Sequence, residues 1–196
     1  DFSEGWTNGV SIVDINNDGW MDLYLCRVGS HPGMSGQNIL LVHQGLDQNN
    51  HPIFEDQAKD YGLDFKGYAT QAAFFDYDLD GDLDVYLMNH SINPNQNYGK
   101  GAKRKEIDHD SGDKLLENKS GHYADVTESM GVFQGSIGYG LGLSISDYNN
   151  DGYPDIYIGN DFFENDYLYF NKAGAGFEEV NHSANEVLSH TTHYSM

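Results

Sequence analysis

The chain has 196 residues, enough for one domain with a sizeable core. It carries 31 acidic against 10 basic residues, a formal charge of −21 that argues against nucleic acid and anionic membrane as partners. The 14 Tyr, 10 Phe and 2 Trp argue against disorder and, with 23 Gly, predict many short strands joined by tight turns.

No stretch approaches the ~20 apolar residues that a bilayer span needs, so no membrane insertion is expected. The single cysteine, Cys26, can form no internal disulfide and reads as a packed strand thiol, not a nucleophile.

In chain order, the first pattern is GVSIVDINNDGWMDLYL (9–25): an apolar strand, a loop of the form D-x-[DN]-x-D-G-x-x-D, and a second apolar strand. From Asn38, NILLVHQG…IFEDQAKDYGL reads as another hairpin, with a helical turn at 57–61. The pattern then restarts as QAAFFDYDLDGDLDVYL (71–87), followed from Lys114 by KLLENKSGHYADVTESMGV. It restarts again as GLSISDYNNDGYPDIYI (142–158), followed from Asp166 by DYLYFNKAGAGFEEVNHSA. Each unit supplies about four strands, which makes the fold class all-β. An aromatic residue stands eight positions before the first loop Asp in every unit (Trp6, Tyr68, Tyr139), and Tyr194 repeats that phase. The units are therefore expected at about 6–67, 68–138 and 139–196, three units of a longer array.

The loops carry the chemistry. Positions 1, 3, 5 and 9 are Asp14, Asn16, Asp18 and Asp22 in the first copy. They are Asp76, Asp78, Asp80 and Asp84 in the second, and Asp147, Asn149, Asp151 and Asp155 in the third. Crowding so many carboxylates together is costly unless a cation sits among them, and an all-oxygen donor set favours Ca²⁺ over zinc. Position 6 is always Gly (Gly19, Gly81, Gly152), as an inward-folding turn requires. Position 7 (Trp20, Asp82, Tyr153) varies, as expected if only its backbone carbonyl is used. An EF-hand closes with an acid at position 12, but here that position is Leu25, Leu87 or Ile158, so the acid at position 9 must close the site. Asx-rich turns without an ion are the alternative; three copies with the same four oxygen-bearing positions argue against it.

A loop of this form between two strands resembles the calcium loop of FG-GAP/VCBS-type repeats, as in integrin α-subunit propellers. LMNHS (87–91), the stretch 136–171 and the terminal HTTHYSM are similar to secreted bacterial VCBS-repeat proteins related to cartilage acidic protein. The resemblance implies a β-propeller of four-stranded antiparallel blades, with one Ca²⁺ in the outer hairpin loop of each, about three in all. It implies ligation by side chains at positions 1, 3, 5 and 9 and by the carbonyl of position 7. The all-Asp second loop is expected to bind more tightly than the two Asn-bearing loops. Propellers close with four to eight blades, so about three blades imply part of a larger propeller or a chain completed by copies of itself.

Five protein ligands leave the metal little room for substrate, so these sites read as structural. At millimolar Ca²⁺, sites of extracellular affinity would contribute roughly 1–1.5 kcal/mol each. Cytosolic calcium would leave them empty, so a secreted, cell-surface or periplasmic setting is expected. The leading functional expectation is an extracellular calcium-binding module for a protein or glycan ligand. The alternatives are a structural subunit of an extracellular assembly or filament, and a propeller enzyme (lyase or hydrolase) with a central active site.

Other features have plain readings beside sharper ones. The segment 92–114, with Lys100, Lys103, Arg104 and Lys105, is a solvated loop or a recognition loop. In GNDFFEND (159–166), Asp161, Glu164 and Asp166 are turn-forming residues or a second ion site. The histidines, among them His90, His109, His182, His190 and His193, form no zinc-protease pattern. Asn118 and Asn181 fit the glycosylation triplet.

Overall fold

The computed structural model describes residues 5–29, 32–34, 36–92, 106–161 and 164–180. Lys100, Lys103, Arg104, Lys105, Asn181, His182, His190, His193 and Tyr194 lie outside them.

Three antiparallel sheets of four strands follow one another along the chain. The first holds β1 (Trp6–Val13), β2 (Asp22–Val28), β3 (Ile39–Leu46) and β4 (Pro52–Asp56), followed by the single helical turn α1 (Ala58–Tyr61). The second holds β5 (Ala69–Phe75), β6 (Asp84–Asn89), β7 (Lys114–Asn118) and β8 (Tyr123–Asp125). The third holds β9 (Gly140–Ser146), β10 (Asp155–Asn160), β11 (Tyr167–Asn171) and β12 (Phe177–Glu179). In each sheet the strands pair in chain order, the meander expected when short turns link neighbours. The sheets are the blades of a propeller-like fold, with β1, β5 and β9 packed on one another as inner strands.

Alternation along the strands builds two apolar seams. On β6, Val85 and Leu87 face the first blade, where they meet Tyr24, Cys26 and Leu40. The intervening Tyr86 and Met88 face the third blade and meet Ile156, Ile158 and Tyr169. A strand covered on both sides loses its polar face, which is why β6 is apolar almost throughout and wholly buried. Cys26 belongs to the first seam, and burial pushes its thiol up to about 12, consistent with a packed, inert residue.

Two repeated devices fix one blade against the next. The last residue of β2 pairs with the marker aromatic of the following blade (Val28 with Tyr68), and His90, just past β6, does the same with Tyr139. The turns that leave the first two blades end at Gly62 and Gly131, with φ of 74° and 76°. A Cβ on these glycines would lie 2.8 Å from the Tyr123 carbonyl oxygen and 2.7 Å from that of Phe177, so the turn touches the next blade's outer strand through bare backbone.

Each inner strand also carries a register shift at one place, between Thr7 and Gly9 and between Ala69 and Gln71, and opposite the Gly159–Asn160 step in the third blade. These are β-bulges, which let the strand bend at the rim. The bulged Asn8 donates from Nδ2 to the Ala69 carbonyl of the neighbouring blade at 3.4 Å.

Candidate metal centre

The D-x-[DN]-x-D-G-x-x-D loops join β1 to β2, β5 to β6 and β9 to β10. They tip the inner hairpin of each blade. The resemblance placed them on the outer hairpin, and the packing of β1, β5 and β9 on one another corrects that placement.

All three loops fold by the same hydrogen bonds. The position 1 carboxylate accepts two backbone N–H groups: Asp18 and Gly19 onto Asp14, Asp80 and Gly81 onto Asp76, Asp151 and Gly152 onto Asp147, all at 2.8–3.1 Å. Position 3 accepts from the N–H of position 5, through Asn16, Asp78 and Asn149. Position 5 accepts from the N–H of position 7, so Asp18, Asp80 and Asp151 hold Trp20, Asp82 and Tyr153. The glycine at position 6 has φ of 88°, 100° and 94° (Gly19, Gly81, Gly152), the left-handed region that makes it necessary. Position 4 is left-handed too, at Asn17, Leu79 and Asn150, a feature the sequence reading missed.

Position 9 behaves differently. Asp22, Asp84 and Asp155 are buried, and both oxygens of each are held by backbone. One oxygen accepts the N–H of loop position 2 (Ile15, Tyr77, Tyr148). The other accepts an N–H of the third strand or its end: His43 at 2.8 Å, Asn118 at 2.9 Å, Asn171 at 2.8 Å. This aspartate, itself at the start of the second strand, ties the loop to the third strand.

In the second loop one oxygen each of Asp76, Asp78 and Asp84 lies within 4.8 Å of the other two, a group that could hold a metal ion. Burial, aided by Asp80, raises the Asp78 carboxyl above its usual range. Burial pushes Asp84 up to about 7, against the lowering pull of the Asn118 and Tyr77 N–H groups. Asp82 at position 7 adds a carboxylate whose Oδ1 is shielded from solvent without a hydrogen-bond partner. These residues fit a hard cation: a gathered set of carboxylate oxygens and, in the same loop, an orphaned carboxylate oxygen. In the other two loops the Asn16 and Asn149 amides each donate to the position 5 carboxylate at 2.9 Å, a bond that Asp78 cannot make. Position 7 is more than a carbonyl carrier, since Trp20 stacks on His43 with ring centroids 4.5 Å apart.

The remaining candidates fall elsewhere. Asp166 accepts the Asn160 N–H and the Tyr157 hydroxyl, and Glu164 accepts the Tyr167 hydroxyl, so both act in strand and turn hydrogen bonding. The same bridge recurs at Asp113, which accepts from Asn89 and Tyr86, and at Asn38, which accepts from Arg27 and donates to Tyr24. The recurrence of Tyr at loop position 11 was the signal for it. Among the described residues no histidine joins an acidic group of metal-binding spacing. His90 packs edge-on against Tyr139, and burial lowers its pKa. Asn118 caps the β7–β8 turn, its Oδ1 accepting the Gly121 N–H at 2.7 Å. Two cavities, of about 530 and 330 Å³, lie beside β8 and the segment that follows it, away from the inner strands, with His109, Glu128 and Asp125 on one and Asp64, Lys114 and His122 on the other.

No helix among the described residues is long and apolar enough to cross a membrane. No curated protein matches the chain. Residues 139–176, which hold β9 to β11 with the third loop between β9 and β10, match the FG-GAP repeat family.

Proposed function

We propose that this chain is an extracellular propeller module that binds a protein or glycan, with Ca²⁺ held structurally in the three inner hairpin loops. The observation that carries the reading is the gathered oxygens of Asp76, Asp78 and Asp84, in a loop whose hydrogen bonding recurs in both other blades. In this reading, side chains at positions 1, 3, 5 and 9 and the carbonyls of Trp20, Asp82 and Tyr153 hold the ion. The bound ion neutralises part of the local charge and fixes the loop's inward fold. The units at about 6–67, 68–138 and 139–196 are then successive repeats of one calcium-bearing element.

The test is thermal unfolding with chelator and with millimolar calcium. Three sites of extracellular affinity contribute about 3–4 kcal/mol together, so calcium should raise Tm by roughly 10 °C over the chelated protein. A melting curve indifferent to chelator sinks the reading. The match to the FG-GAP repeat supports the protein-binding part, and the all-oxygen donor set supports calcium.

A further inference from the structure

Position 3 is braced differently in the three loops. Asn16 and Asn149 each donate to the position 5 carboxylate of their own loop at 2.9 Å, and Asp78, as a carboxylate, has no such proton to give. Its oxygen is nonetheless gathered with those of Asp76 and Asp84.

The brace for Asp78 comes from the third blade. The buried Asn171, at the end of β11, donates from Nδ2 to the Tyr77 carbonyl at 2.7 Å, the oxygen of the peptide group that leads into Asp78. The turn after β11 lies against Asp78 itself: a Cβ on Gly174 would stand 2.9 Å from the Asp78 Cβ and 3.0 Å from its Cα, so the approach needs a glycine. Phe177 covers the buried Tyr77 ring, with centroids 5.9 Å apart. Asn171 also gives its backbone N–H to Asp155, the closing carboxylate of the third loop, at 2.8 Å, and takes the Gly174 N–H on Oδ1. One residue thus touches both loops.

The first seam has the same turn without this bridge. Asn118 takes the Gly121 N–H and gives its own to Asp84, as Asn171 does with Gly174 and Asp155. Its amide, however, reaches the Leu83 carbonyl of its own blade at 3.4 Å, and a Cβ on Gly121 would meet nothing within 4 Å. The loop that braces itself through Asn16 receives no such contact from this turn.

We propose that Asn171 and Gly174 are positioning residues for the cation site of the second loop, so that a site in one blade is completed by the turn of the next. The proposal rests on the calcium reading of the loops. A group that orients a ligand from behind raises affinity by removing the ordering that binding would otherwise require.

Calorimetric calcium titration of the full chain carrying Asp18→Ala and Asp151→Ala, which disable the first and third loops, reads the second loop alone. Adding Asn171→Ala or Gly174→Ala should weaken that binding about tenfold. Gly121→Ala, which puts the same methyl on a left-handed glycine of the equivalent turn, should leave it unchanged. In a chain carrying Asp18→Ala and Asp80→Ala, which leaves the third loop alone, Gly174→Ala should spare calcium binding, although Gly174 belongs to that loop's own blade. Mere loosening of the third blade would weaken the third loop first. Where Asn171→Ala fails to fold by circular dichroism, Gly174→Ala, which removes no hydrogen bond, carries the test. An unchanged second-loop affinity in Gly174→Ala overturns the inference and leaves the calcium reading standing. So does an equal loss in Gly121→Ala or in the third loop. No calcium uptake by the parent chain overturns both.

Discussion

Leu79 sits where leucine is least at ease. Its φ of 62° matches Asn17 and Asn150 in the other loops, but a leucine Cβ crowds the backbone there, and the exposed side chain offsets nothing by burial. Leu79→Asn should stabilise the protein by roughly 0.5–1 kcal/mol, measured by urea unfolding with chelator present. Asp113 makes a second residue-scale case. Burial holds its carboxyl at about 7 in the folded protein, against 3.8 for an unperturbed group, despite the hydrogen bonds from Asn89 and Tyr86 and the nearby Lys114. A carboxyl raised in the folded state binds its proton more tightly there than in the unfolded chain. Its contribution is therefore most favourable below about pH 4 and is lost as pH rises towards 7. Asp113→Asn, which copies Asn38 of the first blade, should flatten that part of the pH dependence. The difference between the urea midpoints of the two proteins from pH 4 to 8 reads it directly. The loop's oxygen-bearing positions and its glycine were legible because their chemistry recurs at fixed spacing. Position 4 was not, because Asn, Leu and Asn share only a backbone angle.

Within each hairpin, two kinds of aspartate that look alike in the sequence do different work. Asp80 is exposed and accepts one loop N–H, whereas Asp84 is buried and holds the N–H groups of Tyr77 and Asn118 on opposite sides. Asp84→Ala should therefore cost about 2–4 kcal/mol even in chelator, since it leaves two shielded donors unmet. Asp80→Ala should cost less than about 1 kcal/mol there and instead lose most of the calcium-dependent increment. Paired urea titrations in chelator and in calcium separate the two. The strands themselves were read from alternation and apolar runs, and the helical turn at 57–61 from its lack of both. The bulges escaped, because Asn8, Thr70 and Leu141 have no side-chain property in common that marks a register shift.

Across the molecule, the repeat made the blades legible and left their packing hidden. A sequence shows that VYLM in β6 is apolar on both faces, but not which neighbour each face meets; that depends on residues tens of positions away, such as Leu40 and Ile156. The placement of the loops on the inner hairpin was hidden for the same reason, since it follows from how the sheets stack and not from the order of strands. The tie between the ninth loop residue and the third strand has one more effect. His43, Asn118 and Asn171 each give their amide to the carboxylate that closes a loop on the inner rim. Slackening a rim loop thus tugs on the middle of its own blade, and the three tips act as tensioners for the sheets behind them.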